Sequence, residues 1–189
     1  MNIKKIINNI SNFALNRIIE IFGLLVVLVG TLLFIALISY SPNDPNFIFP
    51  ENTEIKNFLG FRGSFVSDLF FQSIGLISYL TSITLIFTGI NIFRIKDFFL
   101  LIQNIFFLIV YSIIGSLFFS YFYINSFTLY INGNGGFVGN YLNQNLFGGL
   151  IQYNEKIIYY VLISFIILLF LLSINFNPKK FLASLKKFF

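Results

Sequence analysis

Four stretches of the chain run without a single Asp, Glu, Lys or Arg: about residues 21–40, 74–93, 98–122 and 157–174. A helix needs about 20 apolar residues to cross the hydrocarbon of a bilayer. Each stretch is expected to be helical, because lipid offers no partner to backbone N–H and C=O groups. Between them lie two long loops, about 41–73 and 123–156, and one short link after the second span. The pattern predicts an all-α integral membrane protein. A four-span membrane domain covers residues 1–178, and a basic tail covers 179–189.

The loops carry a second pattern. "GFRGSFVSDLFF" begins at Gly60 and "GFVGNYLNQNLF" at Gly136, and a constant shift of 76 aligns them. Gly60 then matches Gly136, and Gly63 matches Gly139. Ser64, Ser67 and Asp68 match Asn140, Asn143 and Gln144. Spacings of three and four place each polar set on one side of a helix. Phe65, Val66, Leu69 and Phe70 take the other side of the first, and Tyr141, Leu142 and Leu146 that of the second, with Asn145 as the exception. Two short amphipathic outer helices are expected, lying on the membrane surface with the apolar face down. Either a duplication into two parallel units or chance likeness in a low-diversity sequence produces such a pattern.

Charge sets the direction. Nine of the twelve basic residues flank one side: Lys4, Lys5, Arg17, Arg94, Lys96, Lys179, Lys180, Lys186 and Lys187. The long loops hold only Lys56, Arg62 and Lys156. The positive-inside rule then puts both termini in the cytoplasm and both loops outside. The net charge of +5 reflects this topology rather than nucleic-acid binding. Nine of the ten tyrosines fall near outer span ends or in the outer loops, Tyr111 being the exception. They suit an interfacial belt with the hydroxyl in water. The first apolar run is longer than a signal peptide's and no A-x-A site follows, so it reads as an uncleaved anchor.

Composition removes most chemistry. Only 10% of the residues are charged, and there is no Cys and no His. Disulfides, thiolate nucleophiles, ordinary zinc sites and imidazole catalysis are thereby excluded. No P-loop, H-E-x-x-H or G-x-S-x-G occurs, and the outer carboxylates Asp44, Glu51, Glu54, Asp68 and Glu155 show no catalytic spacing. No catalytic, cofactor or metal site is expected. Charge-free spans also argue against an ion pump, which keeps ionisable groups in the bilayer. Ser78 and Ser82, and the stripe Ser112, Ser116 and Ser120, are small residues at helical spacing. They suit close helix contact, within the chain or between subunits. Lys179, Lys180, Lys186 and Lys187 around Phe181, Leu182 and Leu185 suit an anionic inner leaflet, or simply stop the last span.

"SYSPNDP" after the first span, followed by "NFLGFRGSFVSDLFFQSIGLISYL" from Asn57, resembles the membrane domain of the FtsK/SpoIIIE DNA translocases. The matching positions are Ser41, Asp44 and Pro45 with the intervening Pro42, then Asn57, Gly60, Gly63 and Asp68, then Gly75 and Tyr79. Gly135, Gly136, Gly139, Leu142 and Leu146 continue the likeness in the second loop. Ser64, Ser67 and Ser78 stand where the family pattern has Ala, Phe70 where it has Leu and Ile74 where it has Phe. The resemblance covers about residues 15–175. It implies four spans with both termini inside, at the inner membrane of a bacterium and at its division septum. It further implies contacts with the lipid bilayer, other cell-division membrane proteins and further copies of the chain. The family's cytoplasmic linker, ATP-driven motor and DNA-reading domain have no counterpart in these residues, so neither ATP hydrolysis nor direct nucleic-acid contact is expected. The rival reading is a small transporter or channel subunit for an uncharged or lipidic substrate; a polar cavity between the helices would favour it. In "SYSPNDPNF" itself, Pro42 lacks an N–H and turns Ser41 away from helix, so the first span ends nearby and Asn43-Asp44 turns the chain.

Overall fold

The computed structural model describes residues 3–45, 54–124 and 132–179. Asn46, Phe47, Glu51, Tyr130 and the tail from residue 180 lie outside the described residues, as do the side chains of Lys4 and Lys5. Every regular element described is helical: α1 Ile3–Ile38, α2 Gly60–Ile74, α3 Ser78–Ile95, α4 Phe99–Phe122, α5 Gly136–Leu142, α6 Gly148–Tyr153 and α7 Glu155–Ser173. Four helical stretches are long and apolar enough to cross a membrane: Ile10–Ile38, Gly60–Ile95, Phe99–Phe122 and Glu155–Ser173. α1 is helical well before the apolar run that begins at Ile21. α2 and α3 form one stretch bent at a single 3-10 turn, Gly75–Ile77.

α1 lies along α3, and α4 along α7, with α3 and α4 joining the two pairs. The first pair is close because glycines face it. A Cβ on Gly89 would stand 2.6 Å from the Gly23 carbonyl oxygen, and one on Gly30 would stand 2.8 Å from the Ile86 nitrogen. Leu24, Leu25, Leu28, Phe106, Ile109 and Leu168 are exposed on the outside of the bundle, where acyl chains replace water as solvent.

The α3–α4 link ties the far end together. Lys96 sits in the left-handed region at the end of α3 with φ 62°, and its Nζ reaches Glu20 at 2.8 Å, beside Arg17. Asn91 Nδ2 donates to the Ile174 carbonyl at 3.0 Å, which brings the end of α7 to the same place. α7 stops in a Schellman turn: Asn175 is left-handed with φ 52°, Phe176 N–H donates to Leu171 O and Asn175 N–H to Leu172 O.

Between α3, α4 and α7 runs a buried polar ladder. The Thr84 hydroxyl lies 2.8 Å from the Tyr111 hydroxyl and 3.0 Å from that of Ser173. One turn on, Asn104 Nδ2 donates to Thr88 at 3.0 Å, and Asn175 Nδ2 donates to Asn104 Oδ1 at 2.9 Å. Tyr111 and Asn104 are wholly buried. Other tyrosine hydroxyls also find partners within the chain: Tyr121 donates to Glu155, and Tyr123 pairs with Tyr159.

The α1–α3 contact makes a sharp prediction. Gly89→Val forces a side chain into the Gly23 and Val27 backbone and is expected to destabilise the bundle by about 1–3 kcal/mol, the usual cost of overpacking. Gly149 has nothing within 4 Å, so Gly149→Val is expected to change stability by less than about 0.5 kcal/mol. Unfolding of the detergent-solubilised chain, followed by circular dichroism, measures both.

Candidate functional site

α1 ends at Ile38, which leaves its last carbonyls without intrahelical donors. In lipid such groups cannot be left bare. The loop that follows, together with Tyr79 of α3, supplies donors. Ser39 N–H and Oγ both donate to Ile35 O, at 3.2 and 2.7 Å. Asn57 Nδ2 donates to Ala36 O at 2.9 Å, and the Tyr79 hydroxyl donates to Leu37 O at 3.3 Å.

Asn57 is held in place by Asp44. Past Pro42, the Asp44 N–H donates to Ser41 O at 3.2 Å and closes the turn. The carboxylate, 3% exposed, then accepts two backbone N–H groups across the loop. Lys56 N donates to Oδ1 at 2.9 Å and Asn57 N to Oδ2 at 2.8 Å. Hydrogen bonds to an ionised acceptor are about twice as strong as neutral ones, so this pair dominates the corner. Asn57 Oδ1 accepts from Leu59 N at 3.1 Å, and Gly60 N–H donates to Asn57 O at 2.9 Å. Gly60 starts α2 at φ +63°, and Gly63 is obligatory because a Cβ there would lie 2.1 Å from Asn57 Oδ1.

The polar side of α2 therefore faces the chain, not water. Ser64 Oγ donates to Pro45 O at 3.0 Å, Ser67 Oγ donates to Gly63 O at 2.8 Å, and Asn57 Nδ2 reaches Ser67 Oγ at 3.5 Å. Asp68 Oδ1 accepts the Tyr40 hydroxyl at 3.1 Å and Gln72 Nε2 at 3.5 Å. Phe61 and Leu69 on the other side stay exposed. Ser41, Pro42, Asp44, Pro45, Asn57, Gly60, Gly63, Asp68 and Tyr79, scattered over forty positions of sequence, thus meet at one corner.

Beside this corner the second loop packs backbone to backbone. Gly75 has φ +68°, and a Cβ on it would lie 2.0 Å from Asn134 O, the oxygen that accepts from Leu76 N at 2.9 Å. A Cβ on Gly136, at φ +66°, would lie 2.6 Å from Gly75 N, and one on Gly139 would lie 2.2 Å from Ser116 O. Ser116 Oγ donates to Ile74 O at 2.9 Å, and Ser120 Oγ to Asn140 Oδ1 at 2.7 Å. Ser112 is buried on the same helix. Ser78 Oγ donates to Gly75 O at 2.6 Å and Ser82 Oγ to Tyr79 O at 2.8 Å. All five serines are buried inside the chain. The segment after α5 is not one short helix: a π turn, Asn143–Phe147, joins it to α6. Gly148 permits this, since a Cβ there would stand 2.4 Å from Asn143 O.

The corner fixes backbone: its carboxylates are occupied as acceptors, Asp44 by the Lys56 and Asn57 amides and Asp68 by Tyr40 and Gln72. Sequence reasoning singled out the corner's glycines and Asp44, but missed the Thr84–Tyr111–Ser173 and Thr88–Asn104–Asn175 ladder. The available signal was Thr84 and Thr88 one turn apart within an apolar span.

The model of the family described as the 4TM region of DNA translocase FtsK/SpoIIIE matches residues 16–184, nearly the whole chain. No curated protein and no solved structure matches it.

Asp44→Ala leaves the Lys56 and Asn57 N–H groups without an acceptor, at a cost of about 1–3 kcal/mol. Hydrogen exchange of these two amides is expected to accelerate strongly while the α3–α4 link stays protected. Unchanged protection at residues 56 and 57 would mean that the carboxylate does not hold the corner.

Proposed function

Because the chain belongs to the family of the 4TM region of DNA translocase FtsK/SpoIIIE, we propose that it places such a translocase at the division septum. There it contacts other cell-division membrane proteins and assembles with further copies of itself. The chain is a multi-pass protein of the inner membrane and a membrane-anchoring region rather than a motor. ATP hydrolysis and DNA contact belong, on this reading, to the family's motor part. Both termini are cytoplasmic and the corner lies outside, which the distribution of Lys and Arg supports.

The observation that carries this reading is the ordered corner itself. A chain that needed only to sit in lipid would close its loops with any turn. Here Asp44, Asn57, Gly63 and Ser67 are interlocked and mostly buried, which shapes a stiff surface at the loop end. A stiff surface loses little conformational entropy when a partner docks. Ser41, Pro42, Asp44, Pro45, Asn57, Gly60, Gly63, Asp68, Gly75, Tyr79, Gly136 and Gly139 are on this view structural. A duplication is supported by Gly60 and Gly136, which share left-handed φ, and by the same four-residue turn closing onto Asn57 O and Gly133 O. A transporter for an uncharged or lipidic substrate has less support. The polar side chains between the helices bond one another, and the cleft between α1, α2 and α3 is lined by apolar groups apart from Arg62.

A fluorescently tagged chain followed through the cell cycle tests the proposal. It is expected to gather at midcell during constriction, and Gly149→Val to behave the same. Gly136→Val, which drives a side chain into Gly75, is expected to disperse. An even distribution of the unmodified chain at all stages would dismiss septal recruitment.

A further inference from the structure

A cleft of about 440 Å³ lies between α1, α2 and α3. Its walls are Val29, Leu33, Ala36, Val66, Phe70 and Leu85, and Arg62 stands at its loop end. Along α1 it runs from Val29 to Ala36, about 10 Å of helix. Val29 is 57% and Leu32 42% exposed, so the cleft opens sideways toward the bilayer. Leu33 and Ala36 are already buried at its floor.

Among the described residues Arg62 is the only charged group on this wall. It is exposed, and among the described residues its guanidinium has neither a hydrogen-bond nor an ion-pair partner. A cation at the interfacial end of an apolar slot matches the amphiphile that surrounds it, an acyl chain below and a phosphate above. A flexible polymethylene chain is slender enough to enter the cleft.

We propose that the cleft between α1, α2 and α3 is a binding site for one anionic phospholipid of the leaflet at the loop end. One acyl chain lies along Val29, Leu33 and Leu85, and the headgroup phosphate takes bidentate hydrogen bonds from Arg62. The lipid covers the seam where α2 leaves α1, and so seals the apolar side of the corner that Asp44 and Asn57 close from the polar side. The proposal is independent of septal recruitment and of the orientation of the chain.

The full chain is reconstituted in phosphatidylcholine vesicles containing a minor fraction of phosphatidylglycerol and gently extracted. Native mass spectrometry then counts the retained lipid. About one phosphatidylglycerol per chain is expected, enriched over its share of the vesicle. Arg62→Gln is expected to reduce that enrichment about fivefold, the scale of one basic side chain at an anionic interface. Arg62 is exposed, so this variant keeps the fold. Val29→Trp, also at an exposed position, fills the slot and is expected to abolish retention of both lipids with helicity unchanged. Equal retention of the two lipids by the unmodified chain, or enrichment that survives Arg62→Gln, overturns the site. So does a chain that retains no lipid but appears as a dimer that Val29→Trp dissociates, which would make the occupant a second copy.

Discussion

The carbonyls at the end of α1 set the terms for everything around them. They emerge at the end of a long apolar helix, and each needs a donor. Asn57 supplies one, but an amide side chain at the end of a long loop is useful only if the loop is held. Asp44 holds it by binding the Lys56 and Asn57 amides with a single carboxylate. Ser67 and Gly63 then follow: one faces the amide of Asn57, and the other leaves room for it. The polar side of α2 is consequently spent inside the chain, while Phe61 and Leu69 stay exposed on its other side.

Contact between the two halves rests on a different device. Where α2 bends into α3, Gly75 and Gly136 meet with no side chain between them, and Asn134 O accepts from Leu76 N–H across the contact. The stripe of α4 is part of the same joint, because Ser116 caps the Ile74 carbonyl. Small residues here serve approach and hydrogen bonding together, which suits helices in lipid, where apolar contact alone gives no advantage over lipid tails.

Much of this was legible in sequence. Charge-free runs located four spanning helices, and the paired G-x-x-G turns located the two helices that open at Gly60 and Gly136. Spacing also put Ser64, Ser67 and Asp68 on one side of α2. What spacing could not say is which way that side faces. In water a polar face turns outward; here the donors and acceptors left by α1 and by Pro45 draw it inward. The buried ladder was hidden for a related reason. Thr, Ser, Tyr and Asn carry no charge to interrupt an apolar run, so Thr84, Tyr111 and Ser173 read as ordinary members of their spans. The π turn after α5 was illegible because it depends on Gly148 meeting a carbonyl five residues back.

The two ends of the bundle are thus fastened differently, and the difference has consequences. At the loop end a buried carboxylate and backbone amides hold the corner through charge-assisted bonds. At the other end Lys96 and Arg17 pair with Glu20 at the link, and neutral groups fix the helices to one another: Thr84 with Tyr111 and Ser173, Asn104 with Thr88 and Asn175, and Asn91 with the end of α7. Such bonds inside a membrane are worth only about 0.6 kcal/mol each on average. Their value is directional rather than energetic. Sliding α7 by one turn would break the Thr84–Ser173, Asn104–Asn175 and Asn91–Ile174 bonds together while apolar contacts could re-form almost equally well. Neutral hydrogen bonds therefore select one register among packings that dispersion alone would leave nearly equal. They do so without placing in the spans any charge that a membrane potential could act upon.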